Sequence, residues 1–178
     1  MFDYTINNVY LSELVFRKAI EADIAEIMSM YHDVIQYMNK QRLYQWDDAY
    51  PCKNDILQDI KNGEMTLVTV NGVIAAAFTV NKKCDTEYIK GQWAYSGTDY
   101  CVIHRFCVNP LFQNRKIGTV TMRNVEEVVA DNGIKAIRLD CFIQNIYALK
   151  MYKALGFSIV GMVTWRKGDF YLMEKVLC

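Results

Sequence analysis

The chain has 178 residues and a mass of 20.7 kDa, the size of a single domain, and a chain of about 150 residues buries roughly 70% of its unfolded surface without needing disulfide or metal staples. Hydrophobic residues make up 52% of it and aromatics 13%, too apolar a composition for a disordered chain. Lys plus Arg number 20 and Asp plus Glu 20, so the formal net charge is +0 and the overall basic footprint of non-specific nucleic-acid binding is absent.

Residues 1–13 show no periodicity and read as a loose arm ahead of one domain over 14–178. A short strand is expected over 14–19. Asp23 and Glu26 form a D-x-x-E pattern that predicts a helix start. Ile24, Ile27, Met28, Tyr31, Val34, Ile35 and Met38 continue it as the apolar stripe of an amphipathic helix. The aromatic and acidic segment 41–51, QRLYQWDDAYP, ends that pattern, and a shorter helix follows over 55–61, closed by Asn62-Gly63. Strands over 65–70 and 73–80 flank Asn71-Gly72, a two-residue hairpin turn. Residues 82–99 form a loop that includes Trp93. A β-branched and aromatic strand over 100–108 stops at Asn109-Pro110. The helix over 118–131 places Val125, Val128 and Val129 on one face and ends at Asn132-Gly133. A strand over 136–142, a helix over 145–155 closed by Gly156, and strands over 157–165 and 169–177 around a Lys167-Gly168 turn complete a mixed α/β order without repeats or linkers.

No apolar run approaches the ~18 residues of a membrane-spanning helix. Asp3, Asn7, Asn8 and Glu13 at the N-terminus do not resemble a signal peptide. Neither membrane nor nucleic acid is expected as a partner. Cys52, Cys84, Cys101, Cys107, Cys141 and Cys178 contain no C-x-x-C pair, and His32 and His104 lie far from any cysteine pair. Zinc spacing is thus absent, no metal is expected, and the cysteines read as free thiols of a cytoplasmic protein.

Chemistry concentrates in two stretches. In 102–119, VIHRFCVNPLFQNRKIGT, a strand meets a polar, basic loop and then a helix. The unsatisfied N–H groups at a helix N-terminus bind phosphate well, and Gln113, Arg115 and Lys116 bring further donors. A merely solvated basic loop is the alternative reading of this stretch. It is neither a P-loop nor a dinucleotide G-x-G-x-x-G. The second stretch, 145–157, NIYALKMYKALGF, sets Asn145 and Tyr152 two helical turns apart, on one face.

Together these stretches resemble the GNAT superfamily of acyl-CoA-dependent N-acyltransferases, whose pyrophosphate loop reads Q/R-x-x-G-x-G/A and whose later helix reads N-x-x-A-x-x-x-Y-x-x-x-G-F. Here the first is Gln113, Asn114, Arg115, Lys116, Ile117, Gly118 and Thr119, and the second matches at Asn145, Ala148, Tyr152, Gly156 and Phe157. The order of elements is similar to the family's from residue 14 to 177. The resemblance implies an α/β (α+β) fold: a central, mostly antiparallel mixed sheet of about six to seven strands flanked by about four helices. It implies transfer of an acetyl group from acetyl-CoA to a primary amine of a small molecule or peptide, by direct attack in a ternary complex. Phe106, Cys107 and Val108 would pair their backbone with the pantetheine arm, residues 113–119 would hold the pyrophosphate, and Asn145 and Tyr152 would lie alongside the cofactor. Cys107 reads as a packed thiol, not a nucleophile.

The sequence departs from the family at Lys116, where a glycine is usual, and lysine tolerates positive φ and close backbone approach poorly. Weakened cofactor affinity is expected there. The family often protonates the departing thiolate from the position of Tyr152, and a phenol of pKa about 10 suits that task. His104 is the candidate base. Its place resembles that of a catalytic histidine in arylalkylamine acetyltransferases, although Val102 stands where those enzymes carry a second one; a hydrogen-bonded structural histidine is the alternative. For the acceptor amine, Trp46, Asp47, Tyr50 and Trp93 offer charge and aromatic faces, with ordinary packing as the alternative, and Asp48 reads as solvated. A non-catalytic acyl-CoA sensor, or an enzyme using another acyl-CoA or a protein N-terminus, remain open readings. Exposed strands near the C-terminus offer a homodimer surface.

Overall fold

The computed structural model describes residues 14–177, together with the backbone of 5–6 and 9–10. Those two short segments, β1 (Thr5–Ile6) and β2 (Val9–Tyr10), pair antiparallel; the rest of the arm expected over 1–13 lies outside the described residues.

Seven strands make one mixed sheet: β3 (Leu14–Lys18), β4 (Met65–Val70), β5 (Val73–Asn81), β6 (Tyr100–Val108), β7 (Ala136–Phe142), β8 (Ser158–Trp165) and β9 (Gly168–Val176), in the order β3-β4-β5-β6-β7-β9-β8. The ladders β3/β4, β4/β5, β7/β9 and β8/β9 are antiparallel. The β6/β7 ladder is parallel and runs only from Tyr100↔Ala136 to Val102↔Arg138, so the second half of β6 has no partner in β7. Four helices flank the sheet: α1 (Ile24–Lys40), α2 (Lys53–Lys61), α3 (Ile117–Asp131) and α4 (Ile146–Ala154).

By its contacts the chain divides into two units. The first comprises residues 1–42, 46–79 and 105–121. Its core joins Ile27, Met30, Tyr31, Val34 and Ile35 of α1 to Ile56 and Ile60 of α2, to Trp46, and to Met65, Leu67, Ile74, Ala77 and Cys107 of the strands. The expected α1 stripe is thus buried, with Ile24, Met28 and Met38 at its margins. The helix start differs from the D-x-x-E expectation. The Asp23 carboxylate reaches backward, accepting from the Ile20 N–H at 2.9 Å and from Arg17 at 2.7 and 2.8 Å. It therefore closes the 3-10 turn Glu21–Asp23 ahead of α1, while Glu26 stays exposed. Asn71 and Gly72 both take positive φ, 50° and 81°, as a primed hairpin turn requires.

The second unit comprises residues 43–45, 80–104 and 122–178. On the part of α3 in this unit the buried residues are Met122, Val125 and Val129; Val128 is exposed, because the helical repeat carries position 128 out of the stripe that 122, 125 and 129 share. A second core joins Tyr88, Val102, Phe142, Val163, Phe170 and Leu172, with Trp93, Tyr100 and Trp165 against it. Segment 92–95 is pinned to the sheet. The Glu174 carboxylate accepts from the N–H groups of Ala94 and Tyr95 and from Arg138 Nε, and the Gln92 N–H donates to the Val160 carbonyl. The Arg138 guanidinium lies 3.8 Å from the Tyr100 ring centroid and 4.3 Å from that of Trp93.

Within this core the Tyr88 hydroxyl donates to Asp140 at 2.9 Å. Burial pushes the Asp140 carboxyl up to about 6, the Tyr88 hydrogen bond opposes the rise, and the charge of Asp85 adds to it. An acid whose folded pKa lies above its unfolded value binds more protons when folded, so stability falls as pH rises from about 4 to 6 and stays lower above that window. Asp140→Asn keeps an acceptor for Tyr88 and removes the buried charge. It should flatten that pH dependence and raise unfolding stability at pH 7.5 by about 1–3 kcal/mol, measured by urea denaturation across pH 4–8.

Candidate active site

The second half of β6 and the loop beyond it carry Phe106, Cys107, Val108 and residues 113–119, most of those the sequence singled out for cofactor binding; Asn145 and Tyr152 lie on α4. In β6, Arg105 has φ 53°, a left-handed conformation inside a strand, which costs a non-glycine residue roughly 1–2 kcal/mol. Such a residue bends the strand and re-aims the peptide groups beyond it. Phe106 and Val108 are partly buried and Cys107 is buried. Burial pushes the Cys107 thiol up to about 12, against hydrogen bonds to Tyr31 and to the Ala77 backbone that favour the thiolate. The thiol is therefore neutral near pH 7 and no nucleophile.

Asn109 ends the strand and anchors the loop. Its N–H donates to the Ala75 carbonyl and its side-chain N–H to the Ile74 carbonyl, while its Oδ1 accepts from the Leu111 N–H. Pro110 opens a 3-10 turn, Pro110–Phe112. Two left-handed residues come next, Asn114 at φ 61° and Lys116 at φ 57°. The loop therefore keeps, at Lys116, the backbone conformation for which glycine is the usual residue. Asparagine tolerates that region; lysine occupies it under strain. The helix α3 starts immediately after, its first bond running from the Val120 N–H to the Lys116 carbonyl. The N–H groups of Ile117, Gly118 and Thr119 precede that bond and have no intrahelical acceptor. Gln113 and Arg115 are partly buried and Lys116 is exposed, and the Arg115 guanidinium sits over the Phe112 ring at 5.7 Å. The arrangement is a backbone-donor cradle with cationic side chains, suited to a phosphate-bearing ligand.

Behind the bend lies a buried charge network that sequence reasoning missed. Arg105 Nη1 donates to Asp59 Oδ2 at 2.6 Å, Thr79 Oγ1 donates to the same oxygen at 2.7 Å, and Arg105 Nη2 lies 4.0 Å from Asp55. The Tyr31 hydroxyl donates to the Arg105 carbonyl at 2.8 Å. The signal in the sequence was an arginine inside a mostly apolar strand, which needs a counter-charge where it is buried. The aromatic candidates of this unit divide. Trp46 is 7% exposed and packs in the core, its ring 5.6 Å from that of Tyr31. Tyr50 is 38% exposed, with Arg105 at 5.3 Å from its ring. Asp47 accepts from the Ala49 N–H and its backbone pairs with Tyr50.

In the second unit, His104 Nε2 lies 3.0 Å from Asn81 Oδ1 and 3.1 Å from the Lys83 carbonyl. Both partners are acceptors, so Nε2 carries a proton, and any basic function falls to Nδ1. Asn145 is the N-cap of α4: its Oδ1 accepts from the Ala148 N–H at 3.1 Å and its Nδ2 donates to Gln45 at 3.0 Å. Tyr152 lies two turns along, buried at 6% exposure, its ring tilted against Phe157 at 5.6 Å. Trp93 donates from Nε1 to the Tyr88 carbonyl and stacks on the Tyr88 ring, contacts that account for its position within the loop. Cys52, Cys84, Cys101, Cys107 and Cys141 are free thiols. Among the described residues no His, Cys, Asp and Glu group is arranged to hold a metal, and no helix is long and apolar enough to cross a membrane.

Residues 27–157 match the acetyltransferase (GNAT) family model. No curated protein matches the sequence. Among solved structures, a GNAT-family acetyltransferase of Streptococcus agalactiae aligns over 96% of this chain and 99% of its own at 23% identity, with a TM-score of 0.82. One from Listeria monocytogenes aligns over 99% and 100% at 23% identity, with a TM-score of 0.76. The PaiA N-acetyltransferase of Thermoplasma acidophilum, solved with coenzyme A, aligns over 92% and 99% at 15% identity, with a TM-score of 0.70. At these identities the likeness is one of fold.

The left-handed strain at Lys116 has a measurable consequence. Lys116→Gly relieves roughly 1–2 kcal/mol and gives back about 0.5–1 kcal/mol through glycine's greater unfolded freedom. A net stabilisation of about 0.5–1 kcal/mol in chemical denaturation is expected, with acetyl-CoA affinity preserved or improved. A large loss of affinity would instead identify the lysine side chain as a phosphate ligand.

Proposed function

The chain belongs to the acetyltransferase (GNAT) family and is an acyltransferase, and on that premise we propose that it carries the acetyl group of acetyl-CoA to a primary amine by direct attack in a ternary complex. One observation supports this most. A strand edge without a β7 partner runs directly into a loop whose left-handed residues lead into the N–H groups of α3 that have no intrahelical acceptor. In this reading the backbone of Phe106, Cys107 and Val108 pairs with the pantetheine arm. Gln113, Asn114, Arg115, Lys116, Ile117, Gly118 and Thr119 hold the pyrophosphate, chiefly through backbone donors and with the Arg115 guanidinium beside them. Coenzyme A in the Thermoplasma acidophilum relative supports the same ligand class.

The chemistry asks two things of the protein. The acceptor must reach the thioester as a neutral amine, and the departing thiolate must be protonated. Tyr152 takes the second role: a phenol of ordinary pKa about 10 stays protonated at neutral pH and so keeps a proton to donate to the departing thiolate. His104 takes the first through Nδ1, with Nε2 held by Asn81 and the Lys83 carbonyl. Asn145 acts by capping α4, the helix that carries Tyr152. Tyr50 and Asp47 present an aromatic face and a carboxylate to the amine, while Trp46 and Trp93 pack in the cores of their own units. A single domain over 14–178, a cytoplasmic location and a homodimer built on the outer strand β8, where Met162 is 56% exposed, belong to the same reading.

The test begins with thermal denaturation in acetyl-CoA, NADH and ATP. At one hundred times its dissociation constant a ligand adds about 2.7 kcal/mol, and a shift with acetyl-CoA alone is expected. Turnover is then measured across a panel of amines and acyl donors. Tyr152→Phe should lower kcat at least tenfold with little change in acetyl-CoA affinity; an unaltered rate would remove its acid role. Binding without turnover on any amine would favour the sensor reading.

A further inference from the structure

We infer that Arg105 is a positioning residue for the acyl group: its side chain, tied to Asp59, holds the left-handed bend in β6 that aims the backbone of residues 106–108. The inference rests on the proposed reading of that backbone as the edge that pairs with the pantetheine arm, at whose end the thioester lies. Three independent contacts over-determine the bend. Arg105 Nη1 meets Asp59 at 2.6 Å, and Asp59, 4% exposed, is itself fixed by Thr79. The Tyr31 hydroxyl holds the Arg105 carbonyl. The ring of Tyr50 lies against the guanidinium.

The bend contributes nothing to sheet pairing with β7, whose ladder has already ended at Val102↔Arg138. A non-glycine residue at positive φ within a strand persists only where its surroundings force it, and such residues cluster at functional sites. A buried ion pair is weak evidence for stability and better evidence for a specified geometry. What this one specifies is the direction of the peptide groups immediately after Arg105. A thioester carbonyl is a hydrogen-bond acceptor that free CoA lacks, so donors aimed by the bend distinguish acetyl-CoA from CoA. The pyrophosphate cradle, which both ligands share, does not.

Calorimetric titration of CoA and acetyl-CoA into the wild-type chain, Arg105→Ala, Arg105→Lys and Tyr31→Phe tests this without knowledge of the acceptor. The wild type should bind acetyl-CoA more tightly than CoA. Arg105→Ala should reduce that ratio at least threefold while the CoA dissociation constant changes less than twofold. Because Nη1 alone meets Asp59 and Arg105 Nε has no hydrogen-bond partner among the described residues, a lysine ammonium can replace the contact end-on, and Arg105→Lys should recover most of the ratio. Tyr31→Phe should give an intermediate ratio, and it carries the test with Arg105→Lys should Arg105→Ala not fold. Equal wild-type affinities, a ratio unchanged in the variants, or parallel weakening of both ligands with a lowered Tm would each overturn the inference. A wild-type chain that binds neither ligand would instead remove the cofactor reading, and this inference with it.

Discussion

A guanidinium on the interior of a strand must be answered where it lies, and the first unit is organised around that requirement. Arg105 draws Asp59 from α2, and Asp59 draws Thr79 from β5. Removing one member of such a buried pair leaves the other charge stranded, at roughly 3–5 kcal/mol. The network thus fixes α2, β5 and β6 in one arrangement. Tyr31 extends it to α1 through the Arg105 carbonyl. Apolar packing holds these elements together but tolerates small slides between them; directional hydrogen bonds to one carboxylate and one carbonyl do not.

The loop after β6 solves a different problem, that of keeping donors free. A helix N-terminus is most available to a ligand when nothing in the chain folds back over it. Here Asn109 takes up the hydrogen-bonding demands of the strand end by itself, and the left-handed residues turn the chain directly into α3. Asn114 does so with a side chain suited to that region. Lys116 does so against its own preference, adding a positive charge beside the donors. Strain and charge therefore enter together at one position.

In the second unit polar groups are buried to organise, with chemistry confined to few of them. Arg138 and Glu174 hold segment 92–95 and fill each other's hydrogen-bonding capacity. Tyr88 and the partly buried Asp140 form a hydrogen-bonded pair whose carboxyl resists ionisation. Asn145 caps the helix that carries Tyr152.

Periodic and local features were legible in the sequence because their causes are local. The α1 stripe, the Asn71-Gly72 turn and the span of β6 arise from spacing and turn chemistry, and the two motifs at 113–119 and 145–157 carried the family. Side-chain roles that depend on distant partners were not legible. Asp23 sits in a capping pattern, yet Arg17 draws it backward. Trp46 has the composition of a binding residue, yet Tyr31 takes its face into the core. Asp59 lies 46 residues from Arg105, and no local pattern links them. The sequence by itself determined the fold class, the order of elements and the loop that suits a phosphate, because hydrophobic period and helix termini act within a few residues. Only the tertiary structure decided which charges are paired, which aromatics remain exposed and how β6 bends, because burial and counter-charge arise only between residues that folding brings together.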